Sequence, residues 1–156
     1  MSAMAHLTAT QPAHPANPYA YFGYVPRLPP TAYAVLIYML NQQQQGGLVR
    51  ATHEELATGL ALDRGVISRA MPYLVAARLV YVVGRGKLQI HPMLAFHATP
   101  QDRHAALTAL APEDRLDVGH FEDEYEKRLA RHQADKARKA EQRKTPPARG
   151  HLHSVR

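Results

Sequence analysis

The stretch Thr52–Ile90, THEELATGLALDRGVISRAMPYLVAARLVYVVGRGKLQI, decides the fold. Thr52 followed three residues later by Glu55 is a T-x-x-E capping box, so a helix starts there, and Leu56, Leu60 and Leu62 supply its apolar face. Ala61-Leu62-Asp63 reads as a turn. A longer helix then runs from about Arg64 to Ala77, with Val66, Ile67, Ala70, Leu74 and Ala77 inward at helical spacing. Asp63 is placed to cap it. Pro72 falls inside this helix, where its missing N–H and ring clash cost roughly 3 kcal/mol in a regular interior, so a kink or a later start stays open. Tyr81-Val82-Val83 is a strand, Gly84-Arg85-Gly86-Lys87 a glycine-rich hairpin tip, and Leu88–His91 the alternating return strand.

Working upstream, Pro29-Pro30 blocks helix until Thr31, which reads as an N-cap for a buried helix carrying Tyr33, Val35, Leu36, Tyr38, Met39 and Leu40. A glutamine run and Gly46-Gly47 stop it, and Leu48–Ala51 is a short strand. Tyr19, Tyr21, Phe22 and Tyr24 are expected to lean on the core or on a second subunit. Residues 1–18, rich in Pro, Ala, Thr and His without periodicity, read as a disordered arm. Downstream, Thr99-Pro100 heads a helix to about Leu110, Ala111-Pro112 breaks it, and a last helix starts near Gly119 with Phe121, Tyr125 and Leu129 on one face. The division expected is 19–98 as the main domain with an aromatic lead-in, 99–130 as a helical segment, and 131–156 as a basic tail, disordered or frayed.

The order helix, strand, helix, turn, helix, hairpin predicts a mainly α protein with a small β wing, a winged helix–turn–helix followed by C-terminal helices. From about Leu36 to Pro92 the chain resembles the MarR-like class of bacterial winged-helix domains. The resemblance rests on Glu55-Leu56-Ala57 in the positioning helix, the Ser68-Arg69 pair in the recognition helix, and the lead from Leu74 through Leu79-Val80 into the wing. It implies a sequence-specific double-stranded DNA partner, a homodimer and transcription regulation. The ending KLQIHPMLAF is similar to the wing exit of RepL-type plasmid replication initiators, with His91 where that group has Asn and Leu88 where it favours an aromatic. A replication initiator is the second function considered, and a protein-interaction module the third.

The candidate DNA-contacting residues are Arg64, Gly65, Ser68, Arg69 and Tyr73 on the recognition helix, Arg85 and Lys87 on the wing, and Arg50 and Thr52 beside it. An arginine donates two bonds to guanine O6 and N7, and a glycine-flanked arginine reaches the minor groove or its phosphates. Six of these have an ordinary structural alternative: Arg69 in an ion pair with Glu55 or another helix, Arg64 as a solvated helix-start charge, Arg85 and Lys87 on a solvated turn, Arg50 as a strand-end charge and Thr52 as a plain N-cap. Arg78, weighed beside them as a further DNA contact, reads instead as a charge placed by the helix dipole.

The formal charge of +6 is unevenly distributed. Residues 31–98 are net +3 and residues 99–126 net −6, whereas residues 127–156 hold ten basic groups against Asp135 and Glu141. Lys136, Arg138, Lys139, Arg143 and Lys144 suit phosphates or a protein partner, or else form a solvated helix; Glu122-Asp123-Glu124-Glu126 suits the basic segment of a second chain. The absence of cysteine excludes disulfides, cysteine metal sites and thiol nucleophiles. No catalytic triad, phosphate loop or dinucleotide fingerprint is present, so neither an enzyme nor a cofactor is expected. His91, His97 and His104 lack ligand spacing and only His151-x-His153 has it, so no metal is expected either. The N-terminus reads as no signal peptide, and the longest apolar run, Ala32–Leu40, falls far short of the roughly 20 residues of a membrane span. A cytoplasmic protein is the expectation.

Overall fold

The computed structural model describes residues 19–144; the arm 1–18 and residues 145–156, His151-x-His153 among them, lie outside the described residues. The first helix, α1 (Pro30–Gln42), begins one residue before the expected Thr31 cap, with Pro29 in the N-cap position and Pro30 inside the first turn. A first-turn N–H has no helical acceptor in any case, so a proline there costs nothing and its φ is already helical. Ala32, Val35, Leu36 and Met39 are buried, while Ile37 faces out. Gly47 has φ +89, and a Cβ there would fall 2.7 Å from the Ala95 Cβ, so only glycine lets the chain into β1 (Leu48–Arg50).

Helix α2 (His53–Leu60) has its full capping box: Thr52 Oγ1 accepts from the Glu55 N–H, and the Glu55 carboxylate accepts from the Thr52 N–H. Ala61 then turns the chain at φ 52. Leu62 is 37% exposed, so the expected apolar face of α2 stops at Leu60, because the left-handed residue swings Leu62 off the helix. Helix α3 (Arg64–Ala76) is continuous through Pro72. The proline removes the donor for the Ser68 carbonyl, on the outward side of α3. Asp63 holds the N-cap position without the expected side-chain bond to the helix.

The C-terminus of α3 closes with Arg78 N–H on the Val75 carbonyl and Leu79 N–H on the Leu74 carbonyl, the paired bonds of a Schellman ending. Arg78 occupies the left-handed position, at φ 54, that glycine usually takes. Its guanidinium Nη1 lies 2.7 Å from an Asp114 carboxylate oxygen, a specific ion pair beyond the dipole role expected of it. Strands β2 (Val80–Gly84) and β3 (Lys87–Ile90) form the hairpin, and the antiparallel order β1-β3-β2 puts β3 in the centre. Val49, Val80, Leu88 and Ile90 line its buried face. This is the winged helix–turn–helix order, with helices dominant and a small sheet.

Helix α4 (Pro100–Thr108) starts as expected, with Thr99 accepting from the Asp102 N–H. Helix α5 (Phe121–Lys144) runs past residue 130, so residues 131–144 take the solvated-helix alternative rather than a disordered course. Alanine, lysine, arginine, glutamine and glutamate are strong helix formers without an apolar stripe. Acidic Glu122, Asp123 and Glu124 in the first turn and Arg143 and Lys144 in the last complement the helix dipole.

His91 pins the wing exit to the segment before α5. Its side chain is fully buried, with Nε2 2.7 Å from the Asp114 carbonyl and Nδ1 accepting from the Met93 N–H at 3.1 Å. A carbonyl only accepts, so Nε2 carries the proton and the ring is neutral; a second proton on Nδ1 would face the Met93 N–H. Burial holds the imidazole below its ordinary pKa, against an upward pull from Asp114. Between that lowered value and the unfolded value of about 6.5, the unfolded chain binds more protons. The stabilisation is therefore complete above pH 6.5 and is lost as pH falls through that window. His91→Asn keeps an acceptor for Met93 but gives up Asp114. It should lower stability in urea unfolding at pH 7.5 by about 1–3 kcal/mol, with a smaller further loss at pH 5 than the wild-type chain shows.

Candidate nucleic-acid interface

Helix α3 divides by burial into two sides. Ile67, Ala70, Met71 and Leu74 are buried, whereas Arg64, Gly65, Ser68 and Arg69 are exposed. These four share the first two turns of the helix, where the side chains are small or basic. Arg69 lies back along the helix, so that a Cβ on Gly65 would meet its Nη1 at 3.3 Å. The expected alternative, an ion pair from Arg69 to Glu55, is not formed, and the Glu55 carboxylate is held instead by Thr52. Arg64 stands 4.0 Å from Glu54 with both side chains about 70% exposed, a contact worth little. Ser68 Oγ is 3.1 Å from His53 Nδ1, a link between α2 and α3 that no sequence spacing announces. Tyr73 does not join this group. It is half-buried against the core and lines a recess with Pro29, Ala32, Val66 and Arg69 on the α1 side.

The wing brings up a second set of cations. Arg50 of β1 stands directly across from Lys87 of β3, and both are exposed. Like charges in direct cross-strand register disfavour the sheet, so this pair costs local stability. Arg85 is exposed at the tip, and Gly86, at φ +65, comes close enough that a Cβ there would sit 3.4 Å from the Thr52 methyl. A cleft of about 400 Å³ runs between wing and helices, lined by Thr52, His53, Glu54, Arg64, Arg85 and Gly86 among others. It joins the starts of α2 and α3 to the wing tip. Thr52 is present there as a cap: its hydroxyl both accepts from Glu55 N–H and donates to the Glu55 carboxylate, which leaves little for a ligand. The Thr52 backbone N–H, and with it the Thr52 hydroxyl, donates to the Glu55 carboxylate and holds that carboxyl below the usual carboxylate range.

Sequence reasoning missed the participation of α5. Arg128 Nε donates to the Ala76 carbonyl at 2.6 Å, and Arg128 and His132 line one cleft, about 370 Å³, with His53, Ser68, Pro72 and Val82. The Phe121, Tyr125, Leu129 spacing located the packing face, but the polar residues after Leu129 hid its continuation. Among the described residues no cluster of three or more histidine or carboxylate side chains is placed to hold a metal ion, and no helix is long and apolar enough to cross a membrane. Comparison of the chain with protein-family models, with curated proteins and with solved structures finds no match.

The cap at Thr52 has a direct test. Thr52→Ala should lower unfolding free energy in urea by about 1 kcal/mol, and Thr52→Ser should restore most of it.

Proposed function

We propose that the chain binds double-stranded DNA sequence-specifically and acts as a transcriptional regulator, with α3 in the major groove and the β2–β3 wing on the minor groove or backbone. The observation that carries this reading is the first half of α3: Arg64, Gly65, Ser68 and Arg69 are all exposed on a helix whose opposite side is anchored in the core. An α-helix fits the major groove, and a small residue flanked by arginines permits close approach while the guanidiniums reach guanine O6 and N7. Arg50, Arg85 and Lys87 add positive charge at the wing, where phosphates would lie.

The protein works as a homodimer in the cytoplasm on this reading, its two recognition helices meeting half-sites about 34–36 Å apart. A replication initiator of the RepL type is the second reading. It is favoured by the wing exit, where His91 Nδ1 takes the N–H of the residue two positions on, a bond that asparagine side chains also make. Under either reading Arg69 reads bases and Lys87 holds phosphate. Arg69→Ala should cost about 1–3 kcal/mol on a preferred duplex and relax discrimination among duplexes, whereas Lys87→Ala should weaken all duplexes alike. Fluorescence anisotropy on matched and mismatched duplexes reads both. Unchanged binding in both variants at moderate salt would sink the reading.

A further inference from the structure

Helix α5 runs antiparallel to α3. Phe121 shares a recess with Arg78 beyond the end of α3, Arg128 bonds the Ala76 carbonyl, and His132 lines the cleft that contains Ser68. By helical period Ala76 lies on the face of α3 opposite Ile67, yet it is buried. The start of α5 therefore covers the outward side of the C-terminal half of α3. Its remainder heads past the open N-terminal half.

The face of α5 turned toward α3 carries Phe121, Tyr125, Arg128 and His132, three or four residues apart. The same spacing continues through Lys136, Lys139 and Arg143, so one continuous face changes from apolar to basic. These three side chains are exposed, and among the described residues no salt bridge engages them. Glu141 lies on the far side of the helix, while Asp135, beside this face, is paired to Arg138. From His132 to Lys144 the overhang rises about 18 Å, the axial length of roughly five phosphates on one strand at 3.4 Å each.

We infer that the α5 overhang is a second nucleic-acid contact, in which Lys136, Lys139 and Arg143 grip the phosphates of duplex flanking the segment read by α3. The inference rests on the DNA-binding reading of α3 and adds an arm that carries no base information. It extends the footprint to one side and raises the salt sensitivity of binding.

The test uses the full chain and a mixed-sequence duplex of about two helical turns (20–21 base pairs), with affinity measured across a salt series. Lys136→Gln, Lys139→Gln and Arg143→Gln are combined in one variant. A charge-matched control combines Lys127→Gln, Arg131→Gln and Arg138→Gln, which by helical period lie about a third of a turn round α5 from that face. Glutamine keeps helix propensity, and circular dichroism verifies that both variants retain helix. The first variant should reduce the salt slope by about 2 to 3, at 0.9 per phosphate contact, and the control by less than about 1. Equal reductions in the two variants would mean a diffuse charge effect and overturn the proposal, as would an unchanged slope in the first. Arg69→Ala on matched and mismatched duplexes reports on α3 separately. Lost discrimination with an unchanged overhang slope rejects the arm alone, and retained discrimination rejects the α3 reading.

Discussion

Burial of one side of α3 is the constraint on which the rest of the structure depends. Ile67 and Leu74 are fully buried, each worth about 1.5–3 kcal/mol, and α1, α2 and α5 all pack on this helix. Because the apolar residues recur at helical spacing, burying them fixes which side chains face out. Arg64, Gly65, Ser68 and Arg69 are held outward by the same packing that stabilises the core. The Schellman ending at Arg78 then sets the direction of the wing, and the Arg78–Asp114 and His91–Asp114 contacts lock both to the segment preceding α5.

Charge is arranged against local stability where the proposed function needs it. Arg50 faces Lys87 across the sheet, and Arg64 has only a weak, solvated partner in Glu54. Elsewhere the chain satisfies its charges in ordinary ways, as in the short Arg115–Asp117 bridge at 2.8 Å and the Lys127–Glu124 pair. Arg85 without a salt-bridge partner among the described residues, and Arg64 with only a long, solvated contact to Glu54, line one cleft and fit a surface shaped for a polyanion.

Much of this was legible in the residues. The Thr52–Glu55 box, the period of Ile67, Ala70 and Leu74, and the glycine-rich hairpin each have a local physical cause, and each marks its element. The failures are equally local in origin. Pro29-Pro30 reads as a helix block only if the tolerance of the first turn for proline is overlooked. The end of the apolar stripe at Leu129 says where packing stops, not where helix stops, and α5 continues to Lys144 without it. Asp63 has the right identity for a cap and yet makes no bond. What could not be read was tertiary: the His53–Ser68 link, the His91 pin on a carbonyl 23 residues away, the antiparallel path of α5, and the left-handed arginine at position 78. At the site, spacing located the exposed turn of α3, but the packing of Tyr73 toward α1 depends on a neighbour that periodicity does not name.

The central claim is that the outward side of α3 reads base sequence. Selection of bound duplexes from a random-sequence pool by the full chain tests it most directly. The account predicts convergence on one motif, with guanines at the positions protected by the protein and, for a dimer, two copies about one helical turn apart. A pool that stays random through successive rounds, while still being retained at low salt, would contradict it.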